Sequence, residues 1–350
     1  MQLPVYIFDP TATDGASKVR GIGRYMEILR DYLPDDVIFV DSLDKVPKNS
    51  LFIHPFYNFL QPPQTYRRVA KKQLTVIHDL IPHKYPREFP YGFKGLLNII
   101  LNVFLLRNYS GIITDSFHSA SDIHDMVKFP DKGISVAYPS ISKKFKKLLK
   151  EYSKETKAQI DKPYFIYVGD ATWNKNLINI AKAVKLADVH CVFIGKHFIR
   201  SKMLHSFEKK PSNPWLNELY GFYREIKDDP RFHLAGFVSD ENLINYYHHA
   251  IANVLVSRDE GFGFSFLEAG VCGVPSVLAD TRISHELADD GAIYADPEDP
   301  DEIAKAMKAY LDKKTRDEKI KAMKPKLTEL SPEQFATSMK RIIDNHRTTV

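Results

Sequence analysis

Short apolar runs rich in β-branched and aromatic residues alternate along the chain with longer stretches whose apolar positions recur every three to four residues. The first half reads as strand "VYIFD", helix "GRYMEILRDYL", strands "VIFV", "LFIHP" and "QLTVIHD", a helix over 96 to 109, strand "GIITDS", helix "SASDIHDMVKF" and strand "ISVAYP". The second half repeats the alternation: strand "YFIYVGD", helix "LINIAKAVKLA", strand "HCVFIG", helix "LNELYGFYREI", strand "FHLAGF", helix "ENLINYYHHA" and the strands "IANVLVS" and "SVLAD" around a glycine-rich bend. Helices near 301 to 312 and 332 to 346 close the chain. Strand and helix in turn predict parallel sheets with crossover helices, hence an α/β chain of two doubly wound domains. The polar, lysine-rich stretch at 146 to 163 marks the boundary. The expected units are 1–155, 156–330 and a terminal helix over 331–350 that packs back on the first domain.

Two stretches need separate reading. "LLNIILNVFLL", residues 96 to 106, falls well short of the roughly 20 residues of a membrane-spanning helix. It predicts a helix buried on most faces, with Asn98 and Asn102 at i and i+4 as its one wet stripe; the rival is a membrane-inserting surface. Lys143, Lys144, Lys146, Lys147 and Lys150 predict a solvated helix face, the rival being contact with anionic headgroups of a cytoplasmic leaflet.

Composition narrows the classes. With 350 residues, 44% of them hydrophobic, the chain suits two cores. A net charge of +5 is too weak and dispersed to argue for nucleic acid, and suits anionic ligands. Only Cys191 and Cys272 occur, both in apolar runs, which argues against a disulfide framework or thiolate metal site and for a reducing compartment. The start, "MQLPVYIFDP", lacks a basic segment followed by an apolar one, so the expectation is a cytoplasmic protein.

The chemistry concentrates in "SRDEGFGFSFLEAGVCGVP", residues 257 to 275, at the end of a predicted strand where open α/β sheets bind ligands. "SFLE" has capping-box spacing, which would account for Glu268 as a bond back to Ser265, with Gly273 and Pro275 ending a two-turn helix. That leaves Glu260, Gly261 and Gly263 unexplained. Bare N–H groups ahead of a helix N-terminus make an anion site, typically for phosphate. Acids beside a phosphate suit the hydroxyls it carries, a ribose on one side and a sugar on the other. The pattern therefore suggests a nucleotide sugar. "YVGDATWNKNL", residues 167 to 177, places Gly169 at a strand end and Lys175 before the next helix, within reach of a diphosphate at the same sheet edge. "VRGIGRYMEIL" puts Gly21 and Gly23 after the first strand and at the front of the first helix, where they shape the turn or lend further donors.

Four stretches, "GIGRY", "IHDLIPHKYP", "YVGDATWNKNL" and "DEGFGFSFLEAGVCGVP", together resemble the retaining glycosyltransferases of the two-domain GT-B fold, family 4. "GFVSDENLINYYHHA" is similar to the family's base-pocket segment. The resemblance implies two Rossmann-like domains facing across a cleft, the second holding the donor. It implies that Glu268 binds the ribose, Glu260 the donor sugar, and the N–H groups of Gly261, Phe262 and Gly263 the sugar and phosphate. Lys175 would neutralise the leaving diphosphate, with Gly21 and Gly23 contributing, and His78 would sit near the reacting sugar. Asn174 stands where many members carry arginine, so the missing charge would come from Arg20, Arg24 or Lys196. "HDLIP" is reminiscent of members that use GDP-mannose.

Breaking a sugar–phosphate bond builds negative charge on the leaving diphosphate, and fixed cations and N–H dipoles lower that barrier, so metal is dispensable. "DPEDPDEI" at 296 to 303 reads as a helix start rather than a metal motif. No cofactor is expected; the partners are a nucleotide-sugar donor and a saccharide or lipid-linked acceptor, with peripheral membrane contact as a further expectation. A nicotinamide dehydrogenase would share the fold, and Asp280 lies 19 residues beyond Gly261, yet neither glycine cluster has the third glycine of that fingerprint. A non-catalytic binder of sugar nucleotides or nucleic acid is the other rival; acids in a phosphate pocket repel nucleic-acid backbones.

Overall fold

The computed structural model describes residues 2–12, 21–130, 133–153, 156–199 and 210–348. The chain divides into two compact units, Met1–Pro86, Tyr91–Lys143 and Leu330–Val350 in the first, Arg87–Pro90 and Lys144–Glu329 in the second.

In the first unit, β1 (Val5–Phe8), β2 (Val37–Val40), β3 (Leu51–His54), β4 (Lys72–Val76), β5 (Gly111–Thr114) and β6 (Ile134–Val136) form one sheet in the order β2-β1-β3-β4-β5-β6. Every pairing is parallel. Its helices are α1 (Gly21–Tyr32), α2 (Ile81–Lys84), α3 (Gly92–Leu105) and α4 (Phe117–Val127). Strands β3 and β5 are buried at every position, as expected for parallel strands covered on both faces; this is why they read as continuous apolar runs.

Across the division between the units runs α5 (Lys143–Glu151). The second unit's sheet comprises β7 (Tyr164–Val168), β8 (His190–Ile194), β9 (Phe232–Gly236), β10 (Ala250–Leu255), β11 (Ser276–Ala279) and β12 (Ile293–Ala295), again all parallel, in the order β12-β11-β10-β7-β8-β9. Its helices are α6 (Leu177–Ala187), α7 (Asn217–Glu225), α8 (Asp240–His249), α9 (Phe264–Val271), α10 (Arg282–Ala288), α11 (Pro300–Ala309) and α12 (Lys313–Glu329); the last helix, α13 (Pro332–Arg347), belongs to the first unit. The second core is aromatic, with Phe165, Tyr167, Phe193, Phe198 and Phe222 packed together.

The division at Lys143/Lys144 lies upstream of residue 155 because the lysine-rich stretch is held to α8. Lys144 pairs with Asp240 at 3.0 Å, and the Tyr152 ring stacks on His248 with centroids 4.2 Å apart. Tyr152 also donates to Asn245 Oδ1 at 3.1 Å. At the other end of the chain, Phe335 in α13 lies edge-on to Tyr25 of α1.

Helix α3 departs from its expected orientation. Its asparagines face inward: Asn102 is buried and its Nδ2 donates to the carbonyls of Phe59 and Gln61 at 3.2 and 2.9 Å, while Asn98 Nδ2 donates to Leu60 O at 2.9 Å. The apolar residues Phe93, Leu96, Leu97, Ile100, Val103 and Phe104 are the exposed ones. Among the described residues no helix is long and apolar enough to cross a membrane.

Candidate active site

The second sheet changes direction between β7 and β10: β8 and β9 add outward from β7, whereas β11 and β12 add on the far side of β10. Loops leaving the carboxyl ends of strands at such a switch point flank the crevice where open α/β sheets bind ligands. The loop after β7 carries Gly169, Asn174 and Lys175, and the loop after β10 carries Glu260 through Gly263. The two sequence clusters therefore meet. Lys175 Nζ lies 2.6 Å from Glu260 Oε1 and 2.8 Å from Oε2, and Ser257 Oγ donates to Oε1 at 2.6 Å. Their side chains are only 20% and 12% exposed, so the pair attracts more strongly than a surface pair would.

A series of bonds straps the two loops together. Arg258 N–H donates to Asn174 O at 2.7 Å, Asn174 Nδ2 to Asp259 O at 3.0 Å, and Asn176 Nδ2 to Val256 O at 2.9 Å. The Arg258 guanidinium donates to Trp173 O at 2.6 Å and lies 5.0 Å from the centre of that ring. Asn174 is buried and its Oδ1 accepts from Thr172 Oγ1 at 2.7 Å. Through these bonds Asn174 braces the segment that carries Glu260. Arg258 and Asn176 escape a sequence reading because their roles depend on contacts across 80 to 85 residues of chain, whereas Ser257 acts on Glu260 from three residues away.

Helix α9 starts from Gly263, whose left-handed φ of 99° favours glycine. Ser265 is the second helical residue and its buried hydroxyl has no hydrogen-bond partner, so "SFLE" forms no capping box. Glu268 is instead buried within the helix, where Tyr247 donates to its Oε2 at 3.3 Å. Gly261, Phe262 and Gly263 are buried in the turn ahead of the helix. As expected, α9 ends just before Gly273, which has φ 75°.

At the neighbouring strand end, Gly169 N–H donates to Ile194 O at 3.0 Å. A Cβ at Gly195 would lie 2.1 Å from Gly169 O, so the chain packs too closely there for any side chain. Asp170 bonds Lys196 at 3.2 Å and His197 at 3.0 Å. Burial works to raise its carboxyl, but the His197 hydrogen bond, the Lys196 charge and the Ala171 N–H prevail and hold it well below the usual carboxylate range. Lys196, one expected source of the missing phosphate charge, is thus already engaged. Arg24 lies in α1 of the first unit, and Arg20 lies outside the described residues.

In the first unit, His78 follows β4. Its Nδ1 lies 2.6 Å from Asp115 Oδ2 and its Nε2 3.2 Å from Pro55 O, while the Tyr25 ring meets it edge-on at 4.6 Å. Burial alone would lower its pKa, but the charge and hydrogen bond of Asp115 outweigh that and raise it. Gly21 and Gly23 occupy the first turn of α1. They do not form the turn after β1, because β1 ends at Phe8 and Pro10–Ala12 makes a helical turn of its own. Asp280, the acid a dehydrogenase reading would need, is exposed and bonded to His285 at 2.7 Å.

The family model described as "Glycosyl transferases group 1" matches residues 149–326. The O-antigen chain mannosyltransferase RfbU of Salmonella typhimurium is 26% identical over 66% of this chain and 58% of its own length. The O-antigen chain mannosyltransferase B of Escherichia coli is 42% identical over 39% of this chain and 34% of its own. The chain thus spans under two thirds of either curated relative. The solved structure of sucrose-phosphate synthase from Thermosynechococcus elongatus superimposes with a TM-score of 0.66 at 16% identity, covering 98% of this chain and 99% of that one, a likeness of fold.

Proposed function

The chain belongs to the group 1 glycosyl transferases, and on that premise we propose that it moves a hexose from a nucleoside-diphosphate sugar to a hydroxyl of a saccharide or lipid-linked acceptor, with retention of configuration. The observation that carries the reading is the Lys175–Glu260 pair at the switch point of the second sheet. An ammonium and a carboxylate held against each other keep the crevice close to neutral until a ligand separates their tasks. The donor's sugar hydroxyls then take the place of the ammonium at Glu260, and Lys175 turns to the diphosphate. Glu268 is proposed for the ribose hydroxyls, and the turn Gly261–Phe262–Gly263, ahead of the α9 N-terminus, for the phosphate. His78, Gly21 and Gly23 are proposed to assist from the first unit.

As the glycosidic bond breaks, the sugar becomes oxocarbenium-like and the leaving diphosphate gains charge. Lys175 and the α9 end stabilise that charge more than they stabilise the bound donor, which is what accelerates transfer. The acceptor proton passes to the departing phosphate oxygen in this proposal. Because these charges are protein-borne, the reaction is proposed to need no metal. Both curated relatives carry the name mannosyltransferase, which supports mannose as the hexose and GDP-mannose as the donor. A lipid-linked acceptor would set the reaction at the cytoplasmic face of a membrane.

The test is a donor screen in the presence of EDTA, following nucleoside diphosphate released from GDP-, UDP- and ADP-sugars. The expected result is release from one nucleotide class, GDP-mannose foremost, undiminished by the chelator. No release from any donor, with or without a divalent ion, contradicts the function; release only with the ion contradicts the metal-free chemistry.

A further inference from the structure

The six exposed apolar residues of α3 recur at helical spacing and form one stripe, with Phe93 81% and Ile100 58% exposed in the intact chain. A helix of 14 residues is about 21 Å long, so the stripe runs the length of an ordinary surface helix. The opposite face is fixed by the Asn98 and Asn102 bonds to residues 59–61 and by Tyr57, whose hydroxyl donates to Asn102 O at 2.8 Å. The apolar side is therefore held outward by hydrogen bonds that would be lost if the helix rolled over.

The helix and the segment that anchors it carry charge of one sign. Residues 56–72 and 91–110 contain Arg67, Arg68, Lys71, Lys72, Lys94 and Arg107 and no acidic residue, so they carry more positive charge than the chain's net +5. Arg107 lies over the Phe104 ring with its guanidinium carbon 3.4 Å from the centroid, and Arg68 reaches Ser110 at 3.4 Å, which ties the basic loop to the segment between α3 and β5. An apolar helix face bordered by Lys and Arg, with aromatic residues at both ends, is the arrangement that lies in a bilayer interface: side chains enter the acyl boundary while cations remain among the headgroups.

We propose that α3 docks the chain onto an anionic lipid bilayer, seating Phe93, Leu97, Ile100 and Phe104 at the acyl boundary and Arg67, Arg68, Lys94 and Arg107 on the headgroups. A second copy of the chain fits the stripe less well, since two such faces would bring their cations together. This docking is independent of the transfer chemistry and is measured without it.

The experiment is co-sedimentation of the full chain with vesicles of phosphatidylcholine, and of phosphatidylcholine mixed with phosphatidylglycerol, at low and high salt. The chain is expected to pellet with the phosphatidylglycerol vesicles and to be released by salt. Ile100→Glu combined with Phe93→Glu should lower partitioning about tenfold or more, with an unchanged melting temperature. Arg67→Glu combined with Arg68→Glu leaves the apolar face intact and should lower it by a similar factor. Absence of binding to anionic vesicles overturns the proposal, as does equal binding by both variants. A lipid-free dimer that Ile100→Glu converts to a monomer would assign the face to self-association instead.

Discussion

His78 and Asp115 form a pair whose pH behaviour follows from geometry. Both imidazole nitrogens face acceptors, the Asp115 carboxylate at 2.6 Å and the Pro55 carbonyl at 3.2 Å, so the doubly protonated ring satisfies both. The folded pKa is raised above the unfolded value of about 6.5. The pair's contribution to stability is therefore complete below that unfolded value and is lost as pH rises through the folded one. Melting temperatures across that window should fall more steeply with pH for the natural chain than for Asp115→Asn. Identical slopes would show that the ring is neutral throughout. The sequence marks His78 only through the family resemblance of "IHDLIPHKYP", and Asp115 is 37 residues away and becomes its partner because β4 and β5 are neighbours.

At the scale of elements, the site is two loops whose shape is set by close backbone approach and reciprocal side-chain bonds. A Cβ on Gly195 would meet Gly169 O at 2.1 Å, a contact with backbone that no rotamer can relieve. Gly195→Ala is expected to cost about 1–3 kcal/mol, as overpacking does, with a drop in melting temperature and weakened nucleotide binding together. A substitution that left both unchanged would mean that this strand edge moves freely. Much of this level is legible in the sequence. The βαβ alternation, the two glycine-bearing loops and the end of α9 at Gly273 all follow from local pattern, because buried parallel strands are continuous apolar runs and glycine marks positive φ. Two features are not. Periodicity shows that α3 has a polar line at Asn98 and Asn102 but not that carbonyls of residues 59–61 satisfy it, so the face that reads as wet is the inner one. Spacing likewise suggests a cap from Ser265, whereas Gly263 in a left-handed conformation begins the helix one turn's fraction earlier.

At the scale of the whole molecule, the described residues form two parallel sheets of six strands each, with loops at the carboxyl ends of their strands. The second unit holds the Lys175–Glu260 pair and the buried Glu268, while the first holds His78 and the exposed face of α3. Membership of the group 1 glycosyl transferases rests on residues 149–326, the same unit that carries the paired lysine and glutamate. The proposed activity turns on the division of labour between those two residues after the donor enters. The measurement that bears on it most directly is a comparison of Glu260→Gln with the natural chain, reading nucleoside diphosphate affinity by titration and transfer by steady-state kinetics. The amide keeps the size of the side chain and loses its charge, so kcat should fall about 100-fold to 1,000-fold while nucleotide affinity changes only a few-fold. Equal loss of affinity and rate, or a rate left intact, would contradict the account.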